Sequence, residues 1–248
     1  MFGIIGGTGL TQLSNLEVTR RRVVRTPFGE PSGALLFGQL AGREVAFLAR
    51  HGYGHTIPPH RVNYRANIWA LEAEGVDQVV SVASVGGIRA DLRPGAIAVP
   101  HQIIDYTWGR HSSFHEGEDK AVVHIDFTRP YCDRLRQSIV EAAQSTGQNI
   151  APEGVYAVSQ GPRLETAAEI DRFERDGADM VGMTGMPEAA LAREIGICYA
   201  AIAVVANHAA GRAASREGIK MEDINATLRK ALVEVRAILE ALVGGHGG

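Results

Sequence analysis

The chain has 248 residues, 45% of them hydrophobic and 21% charged, with a formal net charge of −3. That length suffices to bury the core of one α/β domain, and the near-neutral balance excludes an electrostatic footing for nucleic acid or an acidic membrane surface. The two cysteines, Cys132 and Cys198, stand far apart outside any metal or redox motif, which points to a reducing cytoplasm.

The first segment, Phe2 to Thr8, reads FGIIGGT and is followed by Gly9. A short apolar strand that stops in glycines leaves bare backbone N–H groups, and the Thr8 hydroxyl adds a donor, so the turn suits an anion. It is not a Walker A loop, because no Gly-Lys-Ser/Thr follows. Gln12 stands where a dinucleotide fingerprint needs a third small residue. Further strands are expected over 18–25, 34–38, 44–49, 78–83, 96–100, 154–159, 180–182 and 199–206, rich in Val, Ile and Ala. Helices are expected over 64–74, 129–145, 166–175 and 187–194, each stopped near a glycine. A last helix over 221–242 sets Ile224, Leu228, Ala231, Leu232, Val235, Ile238 and Leu239 at helical spacing. The alternation predicts one α/β domain over 1–243 with a largely parallel sheet, and a flexible tail over 244–248. The early strands suggest an antiparallel part and a sheet able to close on itself. No basic region precedes an apolar stretch at the start, so no signal peptide is expected, and no apolar run is long enough for a bilayer.

Ligands of open α/β sheets sit beyond the carboxyl ends of the strands. Five such loops carry unusual chemistry: 6–8, 50–60, 84–87, 182–184 and 207–211. Arg50 offers a planar fork of donors for an oxyanion, with His51 and Gly52 beside it. His51, His55 and His60 cluster closely enough to raise a metal site, but no carboxylate or cysteine joins them at ligand spacing. Ala83-Ser84 offers a hydroxyl and exposed amides. Thr184 lies at a helix start, where anions are favoured, and Met183 beside it reads equally as core. Glu165 is either a first-turn acid or a site carboxylate. Asn207, at the end of the most apolar strand, is either a turn residue or a polar reader in a dry pocket. Anion donors (Thr8, Arg50, His51, Thr184) with one amide and one carboxylate suit a reaction in which phosphate is positioned as nucleophile.

In this order, Gly3-Ile4-Ile5-Gly6-Gly7-Thr8-Gly9-Leu10, Arg50-His51-Gly52, Val62-Asn63-Tyr64-Arg65-Ala66-Asn67-Ile68-Trp69, Gly161-Pro162-Arg163 and Gly182-Met183-Thr184 with Pro187-Glu188 resemble the trimeric purine nucleoside phosphorylase family in its methylthioadenosine phosphorylase branch. The resemblance implies a distorted mixed sheet flanked by helices, a homotrimer, and phosphorolysis of an N-glycosidic bond without metal or cofactor, inorganic phosphate being a co-substrate. It implies that Thr8, Arg50, His51 and Thr184 bind phosphate with the backbone around Ala83 and Ser84. Met183 would lie under the ribose, and His124 would reach the 5′ end of the sugar across a subunit boundary. Glu165 and Asn207, with Arg50 and His51, would carry catalysis.

The base pocket departs from the adenosine type. Where methylthioadenosine enzymes carry Ser and two Asp, this chain has Glu165, Asn207 and Ala209. A carboxylate accepts from the N1–H of a 6-oxopurine, and the amide serves O6 and N7. Adenine offers a bare N1 acceptor, and such unpaired groups cost a factor of about 10⁴–10⁵ in favourable cases. At the 5′ end Met221, near Ile219, stands where inosine and guanosine enzymes place a His, which favours a methylthio group. The two halves point to S-methyl-5′-thioinosine as substrate. Phosphorolysis of S-methyl-5′-thioadenosine, a broad 6-oxopurine activity, a hydrolytic nucleosidase and a non-catalytic nucleoside sensor are the alternatives.

Overall fold

The computed structural model describes residues 1–10, 13–117 and 121–245. Gln12, which weighs against a dinucleotide fingerprint, lies outside them, as do residues 246–248 of the expected tail. Gly244 and Gly245 belong to the last helix.

Among the described residues, ten strands form one mixed sheet. β1 (Phe2–Gly6) is buried along its whole length and pairs in parallel with β4 (Arg43–Ala49) and β5 (Gln78–Gly87). That position explains its unbroken apolar run, since a central parallel strand has both faces covered. β2 (Glu17–Arg22) and β3 (Leu35–Leu40) add the expected antiparallel part beside β4. β5 is the branch point. Along one edge it pairs over its whole length with β10 (Cys198–His208), which also pairs with β6 (Ile97–Ala98), while along the other its start pairs with β1 and Gly86 and Gly87 pair with β9 (Met180–Gly182). From β9 the sheet runs on through β8 (Val155–Val158) to β7 (Gln102–Asp105), a strand the sequence reading missed. Among the described residues no pairing joins β2 to β7, so the sheet stays open, contrary to the expected closure.

Helices cover both faces. α2 (Asp133–Ser145) and α5 (Met221–Gly245) share one core with Ala200, Ile202 and Val204 of β10. α1 (Tyr64–Ala73) and α4 (Gly185–Glu194) share the other with Ala201, Ala203 and Val205. The alternate residues of β10 thus enter opposite cores, as the two-residue period of a strand requires. α3 (Ala167–Arg175) opens with a capping box in which the Thr166 hydroxyl accepts from the Glu169 N–H and the Glu169 carboxylate accepts from the Thr166 N–H. α2 begins four residues later than expected, because Pro130 disfavours helix at Arg129 and Cys132 is extended.

Two expectations need correction. Residues 84–87 are not a loop: β10 pairs alongside them as far as His208, across a bulge between Val205 and Asn207, and keeps them in the ladder. Cys132 and Cys198 are not separate. They form a disulfide over a Cα separation of 5.2 Å, because the Cys132 N–H donates to the Tyr199 carbonyl and ties the start of α2 to the start of β10. The inference of a reducing compartment from unpaired cysteines therefore loses its support. Among the described residues no helix is long and apolar enough to cross a membrane.

Candidate active site

The carboxyl ends of β1, β4, β5, β8, β9 and β10 meet around a cavity of about 380 Å³. Strand order decides what stands where. β4, β1 and β5 bring Arg50, His51, Thr8, Ala83 and Ser84 to one part of its wall. β9, β8 and β10 bring Met183, Thr184, Glu165, Asn207 and Ala209 to the other. Met221 and Ile224 of α5 also line it. Eleven of the twelve residues singled out in the sequence, which the two preceding groups and Met221 make up, share this one cavity. The twelfth, His124, is exposed and outside the cavity wall of its own chain.

Arg50 is fully buried. Its Nε donates to one oxygen of Glu188 at 2.7 Å and its Nη2 to the other at 2.9 Å. Nη1 donates to the Val82 carbonyl at 3.0 Å, and Nη2 also donates to Ser81 Oγ. Burial opposes the charge, yet the Glu188 carboxylate more than offsets it and holds the guanidinium above its ordinary pKa. Four of the five N–H groups are therefore spent on the protein, leaving one on Nη1. That atom lies 2.9 Å from where a Cβ on Gly7 would stand, and the same Cβ would meet the Val82 carbonyl at 2.5 Å, so the turn after β1 has room for glycine alone.

His51 is neutral. Burial, then the nearby Arg50 charge, lowers its pKa to about 4. Its Nδ1 lies 2.8 Å from the Ile57 carbonyl, which can only accept, so Nδ1 carries the proton and Nε2 is an acceptor. The reading of His51 as one more anion donor is thus corrected: its free nitrogen suits a protonated oxygen of hydrogen phosphate. Among the described residues no group of three or more His, Cys, Asp or Glu is placed to hold a metal ion.

In the other part of the wall, Ser159 Oγ donates to Glu165 Oε1. Burial raises the Glu165 pKa, and the Ser159 hydrogen bond works against that rise by favouring the ionised form. Asn207 sits just after the bulge in β10 and its Nδ2 donates to the His208 carbonyl at 2.6 Å. One amide hydrogen and the amide oxygen remain available for a base. Met221 is 58% exposed, which removes its reading as a core residue.

The sequence reading quoted Glu188 without a role. The signal was there: an acid inside Met186-Pro187-Glu188-Ala189-Ala190-Leu191-Ala192, all buried, requires a buried cation. Tyr199, which donates to Glu188 Oε1 at 2.8 Å, and Ser159 had no such signal.

A family model described as "Phosphorylase superfamily" matches residues 1–244. A relative from Pseudomonas syringae pv. tomato named "Probable S-methyl-5'-thioinosine phosphorylase" is 51% identical over 239 residues, 96% of each chain. The "6-oxopurine nucleoside phosphorylase" of Pyrococcus furiosus is 46% identical over 213 residues, 84% of this chain and 79% of that one. In fold the chain is similar to methylthioadenosine phosphorylase from Schistosoma mansoni in complex with adenine, with a TM-score of 0.95 and 35% identity over 99% of this chain and 91% of that one.

Proposed function

This chain belongs to the phosphorylase superfamily, and we propose that it cleaves the N-glycosidic bond of S-methyl-5′-thioinosine with inorganic phosphate. The products are hypoxanthine and 5-methylthioribose 1-phosphate. The observation that carries this reading is the pairing of Glu165 and Asn207 in one cavity with Arg50, Thr8, Ser84 and Thr184.

The last free Arg50 N–H, the hydroxyls of Thr8, Ser84 and Thr184, and the amides near Ala83 hold phosphate below the sugar. His51 accepts from its O–H. A phosphate oxygen forms the bond to C1′ as the bond to N9 breaks, and the sugar passes through an oxocarbenium-like state that the phosphate charge stabilises. The electron pair leaves with the purine. As N7 of the departing purine takes up a proton from solvent, Asn207 accepts from that N7–H and donates to O6, while Glu165 accepts from N1–H, so the lactam form is held as it departs. Met183 packs under the ribose and Met221 faces the methylthio group. The active form is a homotrimer in which His124 of a neighbouring copy reaches the 5′ end. Such an enzyme serves purine salvage in the cytoplasm; a thiol count on protein alkylated at lysis tests that location, free Cys132 and Cys198 thiols supporting it and an intact disulfide overturning it.

The deciding assay measures base release from methylthioinosine, methylthioadenosine, inosine and adenosine, each with and without phosphate. Phosphate-dependent turnover with methylthioinosine preferred is expected. Equal release without phosphate, or a preference for the amino-substituted bases, overturns the reading. A broad 6-oxopurine nucleoside phosphorylase is the second reading, favoured by the similarity to the Pyrococcus furiosus protein of that name. Equal turnover of inosine and methylthioinosine would select it.

A further inference from the structure

We propose that Arg110 is a positioning residue that locks three cavity loops into one frame and so sets the spacing between the base-reading and phosphate-holding groups. The inference rests on the phosphorolysis reading above and assigns it a residue outside the cavity wall.

Arg110 stands in the segment after β7 and does not line the cavity. Its Nη1 donates to the Met183 carbonyl at 2.9 Å and to the Met186 carbonyl. These two carbonyls bracket Thr184. Its Nη2 donates to the Gln160 carbonyl at 2.8 Å and, more weakly, to the Ser159 carbonyl at 3.4 Å. Ser159 is the residue whose hydroxyl holds Glu165. Nη1 also reaches Tyr64 Oη at 3.4 Å, and that hydroxyl donates to the carbonyl of Pro59, a wall residue on the loop of Arg50 and His51. One guanidinium therefore ties the loops after β4, β8 and β9.

Its partners are informative. They are backbone carbonyls and a phenol, with no carboxylate among the described residues. A surface ion pair tolerates wandering side chains, whereas carbonyls hold a planar fork in one orientation. The loops also leave no slack where they meet. Gly161 has φ +63°, and a Cβ there would lie 2.5 Å from Met183 Sδ and 3.5 Å from Pro59 Cγ. A lysine would keep the charge and lose the fork, letting the loop of Glu165 drift from the loop of Thr184.

The test is Arg110→Lys, with Arg110→Gln as a second variant, each assayed as the full chain. Measured are kcat, KM for nucleoside and for phosphate, the ratio of kcat/KM for methylthioinosine over methylthioadenosine, and the melting temperature. We expect a loss of about 10²-fold in kcat/KM, the scale of a misplaced reacting group, with both KM values raised and the base ratio reduced in the folded variant. A variant that melts lower but keeps kcat per folded site, both KM values and the ratio overturns the inference, because that is the behaviour of a merely structural residue. If the wild-type chain shows no phosphate-dependent turnover, the functional reading fails separately. Calorimetric binding of hypoxanthine then decides: about tenfold weaker binding in Arg110→Lys, the loss of roughly one hydrogen bond, supports the positioning role, and equal binding overturns it.

Discussion

The two parts of the cavity are held in different ways. In the part we assign to phosphate, Arg50 and Glu188 are both fully buried and bonded to each other, to Tyr199 and to Ser81. In the part we assign to the nucleoside, Glu165 and Asn207 are half-buried, stand on a loop and beside a bulge, and each has one side-chain hydrogen bond of its own. The first part belongs to the core, so its chemistry is bound up with folding. The second hangs from strand ends, so its preference can change while the fold and the phosphate cradle stay. A buried ion pair contributes little net stability yet is costly to break on one side.

Glu188→Gln is the hardest test of that contrast. It leaves a buried guanidinium without its counter-charge, and a loss of about 3–5 kcal/mol in unfolding free energy is expected, with weaker phosphate use. An unchanged urea midpoint would show that the phosphate side is not bound to the core. Next comes Glu165→Ser combined with Asn207→Asp. Preference should swing from methylthioinosine toward methylthioadenosine by about 10²-fold or more, with little change in melting temperature. A large drop in melting temperature would erase the distinction between the two sides.

The third test uses pH. His51 is neutral in the fold down to about pH 4, while an unfolded chain takes up the proton near pH 6.5. The unfolded state binds more protons in that window, so stability is full above about pH 6.5 and falls as the pH drops toward 4. The slope from this residue is at most about 1.4 kcal/mol per pH unit, and His51→Asn should flatten it; an identical slope in the variant would mean that His51 is charged in the fold. The smallest effect belongs to Met221→Ser. Because Met221 is largely exposed, the ratio of methylthioinosine to inosine turnover should fall only a few-fold in a side-by-side kinetic assay. A fall of 10²-fold would mean that another copy of the chain covers this residue.

Most of the site was legible in the chain because its signals are local. Apolar runs ending in glycine mark strand ends, and unusual chemistry just past a strand end marks a ligand loop. That logic picked out Thr8, Arg50, His51, Thr184, Glu165 and Asn207, which one cavity brings together, and it placed α1 to α5 among the described residues to within four residues at either end. It failed at Ser84, taken for loop, because pairing to β10 is a property of the neighbour and not of the segment. It failed at His51, where residue type implies a donor and only burial beside Arg50 reveals a neutral acceptor.

By itself, then, the chain determined the order of strands other than β7 and of the α-helices, one α/β domain, and which loops carry polar groups, since these follow from periodicity and turn chemistry over a few residues. The fold alone decided which distant residues meet. Arg50 and Glu188 lie 138 positions apart, Cys132 and Cys198 lie 66 apart, and Arg110 reaches carbonyls 49 to 76 positions away. Such pairings arise where a branched sheet brings several strand ends to one place, and no local pattern in the chain encodes the distance between them.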